Sequence, residues 1–190
     1  MPRVGLDHQR VLAGALELAN QEGLNTLTLG RLAKHLNVKP PSLYNHVAGL
    51  EGLRRDLSLQ GFEVLGQVLQ AATVAKTGGA ALRAAAYAYR DFAKTQPSLF
   101  EATIRTVEDE DEPLREAGHA ALKTLQAVFA SLGLDGDEAV HAIRSYQAAL
   151  TGFLLLELGR GFGMPQDVDK SFDYLLSNFI AVTKDITKGK

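Results

Sequence analysis

Apolar residues recur along the chain at intervals of three and four positions. In the first segment they stop before Gly23, and they are Leu12, Ala15, Leu16 and Ala19. In the second they follow Thr28, and they are Leu29, Leu32, Ala33 and Leu36. This spacing predicts an amphipathic helix over residues 7–22 and a helix of two turns after Thr28. Asn37 comes next, a residue that tolerates a left-handed turn.

The stretch KPPSLYNHV, residues 39–47, predicts a third helix in spite of its two prolines. Pro40 and Pro41 suit the first two positions of a helix, where no N–H bond is needed and φ is already helical. Leu43 and Val47, one turn apart, are expected to face inward. The outward positions carry hydroxyl, amide and imidazole groups, which can bind phosphate oxygens and base edges. Helix, tight turn and short helix together predict a helix-turn-helix with a recognition helix at 40–47.

The rest of the chain shows the same helical period. A long helix is predicted after Gly49, and others near 78–95, 97–106, 113–132, 136–160 and 168–187, with glycine and proline at the breaks. No run of alternating β-branched residues indicates a strand, so the predicted fold is all-α. We expect a helix-turn-helix DNA-binding domain at 1–48 and a helical ligand-binding and dimerisation domain at 49–190.

Residues 26–57, TLTLGRLAKHLNVKPPSLYNHVAGLEGLRRDL, resemble the DNA-binding core of the TetR family of bacterial transcriptional regulators. The resemblance rests on a helix that opens with Thr28, a turn that ends in Val38, and the Leu43-Tyr44-x-His46 core before a leucine-rich helix. Farther on, LTGFLLLELGRGFG followed by SFDYLLSNFI resembles the C-terminal half of a subgroup of these regulators. The resemblance implies a regulator that binds a double-stranded operator and responds to a small molecule.

The same resemblance implies roles for single residues. Thr28, Tyr44 and His46 would contact phosphates, Asn45 would help to read bases, and Pro41 and Ser42 would approach both in the major groove. The expected DNA contacts are Thr28, Lys39, Pro41, Ser42, Tyr44, Asn45 and His46. The chain departs from the family at Gly49-Leu50, where many members have a lysine, and at Gly30, where many have a polar side chain. Asn37 replaces the usual turn glycine.

Charge and composition limit the alternatives. The net charge of −2 does not suit a protein that coats nucleic acid, yet residues 1–60 hold seven Lys/Arg against five Asp/Glu. The sequence has no cysteine, which removes disulfides and thiolate chemistry and fits a reducing compartment. Without a signal-peptide pattern or an apolar run of ~20 residues, the chain is expected to be cytoplasmic and to make no contact with a membrane.

Patterns of catalysis are missing from the sequence. It contains no Gly-x-Ser-x-Gly, no phosphate-binding loop that ends in Lys-Ser/Thr, and no His-Glu-x-x-His. The acidic run Glu108–Glu112 lacks the regular spacing of a calcium loop, and a solvated loop is the expected role. We therefore expect no enzymatic activity, no metal and no cofactor.

The last two predicted helices are more apolar than a single chain needs. As the family resemblance also implies, they would pack against their copies in a homodimer as a four-helix interface. A dimer would read a palindromic site twice, which compensates for the small surface of one recognition helix. The competing interpretation is that these helices form the core of one chain. The expected interface residues are Val140, Ile143, Leu150, Phe153, Leu154, Phe172, Leu175, Leu176, Phe179 and Val182.

The middle of the chain would hold a ligand cavity, again as the resemblance implies. The candidate lining residues are Tyr87, Phe92, Phe100, Ile104, Phe129 and Tyr146. Their composition suits a small, mostly apolar or aromatic ligand, although plain core packing is the competing interpretation. The unknown effector would favour a conformation whose recognition helices are misspaced, and the dimer would then leave its operator.

Two functions stay open at this level. The first is a homodimeric repressor released from a palindromic operator by a small ligand. The second is an all-α small-molecule-binding or protein-interaction module that does not bind DNA. Tyr44 and His46 discriminate between them, because only the first function requires these side chains to contact DNA.

Overall fold

The computed structural model describes residues 5–104 and 111–188. Every regular element in these two ranges is helical, which confirms the predicted all-α class. The helices are α1 (His8–Glu22), α2 (Leu29–His35), α3 (Pro40–Leu43), α4 (Gly49–Thr73), α5 (Gly78–Thr95), α6 (Pro97–Thr103), α7 (Glu112–Ala130), α8 (Gly136–Leu158) and α9 (Val168–Lys188), with a 3-10 turn at Leu24–Thr26. Within the described ranges, none of these helices combines the length and the apolarity that crossing a membrane requires.

Most helix ends lie within two residues of the predicted ones, and α3 is the exception. It ends at Leu43 rather than at residue 47, and the chain continues as a turn in which the N–H groups of His46 and Val47 donate to the Leu43 carbonyl at 2.9 and 3.0 Å. α6 ends at Thr103, while the last residues of the predicted helix 97–106 lie outside the described residues. The same is true of residues 108–110 in the acidic run.

The chain divides into two compact units. The first unit comprises residues up to 64 together with 95–118, and the second comprises 65–94 together with 119–190. These units do not follow the predicted boundary between residues 48 and 49. The first half of α4 belongs with the helix-turn-helix because its Leu53 and Leu57 side chains are fully buried there, and α6 joins them by packing on α1.

Within the first unit, α4 and α6 approach each other closely. The Ser58 hydroxyl on α4 donates to the Ala102 carbonyl on α6 at 2.9 Å. One turn later, a Cβ atom on Gly61 would lie 2.9 Å from the Leu99 carbonyl oxygen, so this contact requires glycine. The helix that follows the helix-turn-helix, α4, is thus held by close packing on α6.

The core of the second unit is built from the second half of α4 together with α5, α7, α8 and α9. Its fully buried large side chains include Leu82, Phe129, Leu154 and Phe172. Phe129, Tyr146 and Phe179 form an aromatic cluster with ring centroids 5.2–6.4 Å apart, a spacing that stabilises edge-to-face contacts. The α8–α9 pair is therefore anchored from inside by aromatic packing.

Candidate nucleic-acid interface

Thr28 caps the first helix of the motif. Its backbone is extended, and its hydroxyl oxygen accepts a hydrogen bond from the Arg31 N–H at 3.2 Å. This satisfies one of the unpaired N–H groups at the start of α2. A threonine hydroxyl can donate as well as accept. The exposed Thr28 side chain therefore retains a donor for a phosphate oxygen.

The turn between α2 and α3 is closed by a left-handed residue. Asn37 has a φ of 53°, which confirms the left-handed conformation predicted for it. The Val38 N–H donates to the Ala33 carbonyl at 2.9 Å, and the Asn37 N–H donates to the Lys34 carbonyl at 3.2 Å. These two bonds form a Schellman motif, which ends α2 and directs the chain into α3.

α3 starts with Pro40 and Pro41 at its first two positions, as predicted, and the Lys39 side chain provides no cap. Leu43 is fully buried and Val47 is 6% exposed. Both side chains therefore face inward, which confirms the expected orientation. Burial of this one face fixes which side chains of residues 40–46 remain at the surface.

The seven expected DNA contacts all reach the surface to some degree. Thr28, Lys39, Pro41, Tyr44 and Asn45 are exposed, while Ser42 and His46 are half-buried. Tyr44 is 62% exposed. A half-buried tyrosine that only completes the core would expose much less of its ring. The packing of the protomer therefore does not account for this residue.

Positive charge on this surface is concentrated in two lysines. Among the described residues, neither Lys34 nor Lys39 forms an ion pair with a carboxylate. Arg31 instead pairs with Glu22, and Arg54 pairs with Glu51 of its own helix at 2.6 Å. Between Thr28 and Val47, Lys34 and Lys39 are thus the cations whose charge is not offset by a described carboxylate.

The residues expected at a dimer interface lie at different depths in α8 and α9. Ile143, Leu150, Leu154, Phe172 and Leu176 are buried inside the protomer. Phe153, Leu175 and Phe179 are half-buried, and Val140 and Val182 are exposed. The five buried side chains support the outer face of these helices from beneath and present little surface to a partner. Ile186 is also exposed, as are Leu155, Leu156 and Tyr174, which the apolar pattern did not select.

The six residues expected to line a ligand cavity are divided between the two units. Phe100 and Ile104 belong to the first unit, and the other four belong to the second. In the second unit, Tyr146 borders a cavity of about 10 Å³, with Tyr89, Gln147 and Leu150 among the other lining residues. That volume holds roughly one water molecule. The Tyr146 hydroxyl donates to the Leu82 carbonyl, and burial raises the pKa of this phenol.

A charged cluster around the buried Arg90 in the second unit was missed from the sequence. Arg90 on α5 is 4% exposed and donates to Glu157 and Asp169, and its guanidinium lies 4.7 Å from the Phe172 ring centroid. Arg90 falls on the apolar stripe of α5, one turn after Ala86. A cation at a core position of an amphipathic helix is the signal that could have revealed a buried partner. Among the described residues, no three His, Asp or Glu side chains gather as metal ligands.

Two family models match the chain. Residues 11–57 match a model described as bacterial regulatory proteins, tetR family, and residues 82–179 match one described as the tetracyclin repressor-like C-terminal domain. The first match contains the whole helix-turn-helix, and the second contains most of the second unit.

Whole-chain relatives agree with these models. The chain is 31% identical over 180 residues to the uncharacterized HTH-type transcriptional regulator YobS of Bacillus subtilis, covering 95% of this chain and 94% of the relative. It is 34% identical over 165 residues to the uncharacterized HTH-type transcriptional regulator Rv0681 of Mycobacterium tuberculosis, covering 86% and 74%. A TetR variant from Acinetobacter baumannii, solved in complex with minocycline, has a similar fold, with a TM-score of 0.72, 21% identity and coverage of 96% and 99%.

Proposed function

Because this chain belongs to the TetR family of bacterial transcriptional regulators, we propose that it is a repressor that binds a palindromic operator as a homodimer and leaves it when a small, mostly apolar ligand binds. Membership of this family makes the protein a DNA-binding transcriptional regulator and not an enzyme. Family membership does not specify repression, the symmetry of the operator or the nature of the ligand, and these three features are part of the proposal.

The exposure of Tyr44 carries the DNA-binding part of the proposal. This large aromatic side chain lies at the surface of the motif, directly after the buried Leu43. Exposing a tyrosine ring to water gains nothing for the fold, whereas its hydroxyl can donate to a phosphate oxygen. Tyr44 and His46 would bind phosphates on the two sides of the recognition turn, and Lys39 would bind one before α3.

Base reading is assigned to the short helix and the turn after it. Pro41 and Asn45 are exposed and Ser42 is half-buried, so their side chains are available to base edges in the major groove. An asparagine amide can pair with adenine, and a serine hydroxyl can pair with several bases. The remaining contact, Thr28, would donate its capping hydroxyl to a phosphate at the start of α2.

The dimer would form on the outer face of α8 and α9. A groove of about 330 Å³ runs between these helices, and Phe179, Val182 and Ile186 are among its lining residues. Val182 is 59% exposed in the protomer. An exposed apolar groove of this kind is stabilised when a second copy covers it. Dimerisation then pairs two recognition helices for the two halves of a palindrome.

The effector would act by shifting a conformational equilibrium. In the described conformation the cavity beside Tyr146 has a volume of about 10 Å³, far below that of a pocket for a small-molecule ligand. A ligand would therefore bind a different packing of these helices and would draw the dimer toward a conformation with a different spacing of its recognition helices. The mostly apolar lining favours an apolar ligand, with Gln147 as a polar anchor.

Selection of bound duplexes from a random double-stranded library tests the proposal directly. The selected duplex is then titrated with protein, and fluorescence anisotropy is measured across a salt series. A palindromic consensus, with affinity that falls steeply as salt rises, is the expected result. Weak binding without a consensus would contradict operator recognition, and a consensus with a single half-site would contradict the dimer.

A further inference from the structure

Two consecutive residues of α4, Arg55 and Asp56, make polar contacts with different segments of the chain. The Arg55 guanidinium donates from Nε to Oδ2 of Asp111 at 2.6 Å and from Nη2 to Oδ1 at 2.9 Å. Asp111 immediately precedes α7, and its Oδ1 also accepts from the Leu114 N–H at 3.2 Å. These hydrogen bonds, that of Arg55 first, hold the pKa of Asp111 below its usual value. One carboxylate thus caps α7 and binds it to α4.

The next residue, Asp56, binds in the other direction. Its Oδ2 lies 2.9 Å from Nε2 of His8, the first residue of α1. The Arg55 Nη1 atom lies 4.0 Å from the Asp56 Oδ1 atom, which places the two pairs side by side. We call His8, Asp56, Arg55 and Asp111 the α4 clamp. It connects the start of α1, the second turn of α4 and the start of α7.

The α4 clamp acts on the helix that follows the recognition turn. α4 begins at Gly49, three residues after His46, and Asp56 is seven residues into it, which is about 10 Å along the axis. On another side, Ser58 and Gly61 pack α4 against α6. The direction of α4 decides where the preceding turn, with Tyr44 and His46, is held. α3 has only four residues and cannot fix that direction by itself.

We propose that the four residues of the α4 clamp are positioning residues for operator binding, an inference that rests on the proposed function. They touch no DNA in this scheme. They hold α4 between α1 and the start of α7. The side chains of Tyr44 and His46, in the turn before α4, are therefore positioned for phosphate binding in the DNA-free protein. Breaking the clamp makes the protein lose operator affinity because the ordering must then be supplied at the moment of binding.

The experiment compares Asp111→Asn with Glu112→Gln. Asparagine keeps one side-chain oxygen to cap α7, and it replaces the second oxygen with an NH2 group and removes the charge that binds Arg55. Glu112 is the neighbouring residue, and its ion pair with Arg115 stays within α7. Both variants change the net charge equally, so long-range attraction to DNA is matched. Arg55→Gln and the double variant Arg55→Gln/Asp111→Asn complete a double-mutant cycle.

Operator dissociation constants are measured by anisotropy at one salt concentration, together with the melting temperature of each variant. We expect Asp111→Asn and Arg55→Gln each to weaken binding about tenfold and the double variant to weaken it no further. Glu112→Gln is expected to stay within about twofold of the unchanged protein. Equal operator affinities for Asp111→Asn and Glu112→Gln would overturn the inference. So would a double variant whose loss of affinity is the product of the two single losses. Losses of affinity that only follow the fraction of unfolded protein would overturn it as well.

Hydrogen exchange gives a second readout that needs no operator. Amides of residues 44–56 are expected to exchange faster in Asp111→Asn than in Glu112→Gln, with the amides of α8 and α9 unchanged. His8→Gln is expected to act in the same direction, with His119→Gln, an exposed histidine of α7, as its control. If no duplex is selected, the proposed function fails, whereas unchanged exchange at residues 44–56 overturns the clamp whether or not DNA binds.

Discussion

Arg90 and Glu157 form a bidentate ion pair in the second unit. The Arg90 Nε donates to Oε2 of Glu157 at 2.8 Å, and its Nη2 donates to Oε1 at 2.5 Å. The same Nη2 donates to Oδ1 of Asp169 in the first turn of α9 at 2.6 Å. One buried side chain of α5 therefore binds both the last turn of α8 and the first turn of α9.

Glu157→Gln should destabilise the second unit in a pH-dependent way. Hydrogen bonds from Arg90 hold the pKa of Glu157 below its usual value. A carboxyl group with a lowered pKa stabilises the fold above its unfolded pKa, about 4.3, and loses that contribution as the pH falls through the lowered value. At pH 7 we expect a loss of about 3 kcal/mol, since a buried guanidinium is left with a weaker partner. Urea denaturation at pH 7, 5 and 3.5 measures the difference in the free energy of unfolding between the variant and the unchanged protein. Glu116→Gln, at an exposed position of α7, is the control. A difference that stays constant with pH would show that the cost comes from packing.

Tyr44→Ala should weaken operator binding by about 1–3 kcal/mol, the usual range for a lost specific contact. Tyr44→Phe separates the hydroxyl from the ring, and we expect it to lose most of the same affinity because the hydroxyl is the donor to phosphate. The large exposure of Tyr44 predicts little change in stability, within about 0.5 kcal/mol. Anisotropy titrations and thermal melts of both variants supply the comparison. Full affinity in Tyr44→Ala would remove this residue from the interface.

Two alanine substitutions in the motif should have opposite effects on stability. Asn37→Ala should destabilise the fold, because it places alanine at a φ of 53°. The left-handed conformation costs alanine roughly 1 kcal/mol. Gly30→Ala should instead stabilise α2 by up to about 1 kcal/mol, because alanine favours a helix and its Cβ meets no heavy atom within 4 Å. Chemical denaturation of both variants is the measurement. Destabilisation by Gly30→Ala would show that the site is more crowded than the geometry indicates.

Val182→Asp should produce folded monomers. This residue is exposed on α9, so a charge there is harmless to the protomer but is buried in the proposed dimer. Phe179→Asp, at another of the expected interface residues, is a poorer test because Phe179 packs on Phe129 and Tyr146 within one chain. Light scattering gives the oligomeric state, and circular dichroism gives the helix content. A dimeric Val182→Asp protein would place the interface elsewhere.

Helix positions were predictable because they depend on local spacing. Apolar periods, the helix start after Thr28, the left-handed Asn37 and the paired prolines are all properties of short segments, and the structure confirms each of them. The length of α3 was not predictable in this way. After Leu43 the backbone continues as a turn in which two N–H groups share one carbonyl, and sequence spacing does not distinguish such a turn from another turn of helix.

The sequence by itself determined the all-α class, the helix-turn-helix and the family, because periodicity and a short motif carry them. It also placed the side chains of Pro41, Tyr44 and Asn45 at the surface, since burial of Leu43 and Val47 leaves these neighbours exposed. Only the tertiary structure decided which apolar residues of α8 and α9 are buried in the core and which are exposed to solvent. Only the tertiary structure paired Arg90 with Glu157 and Arg55 with Asp111, partners 67 and 56 residues apart. Contacts between distant segments depend on how helices pack in three dimensions, and no local pattern records that packing.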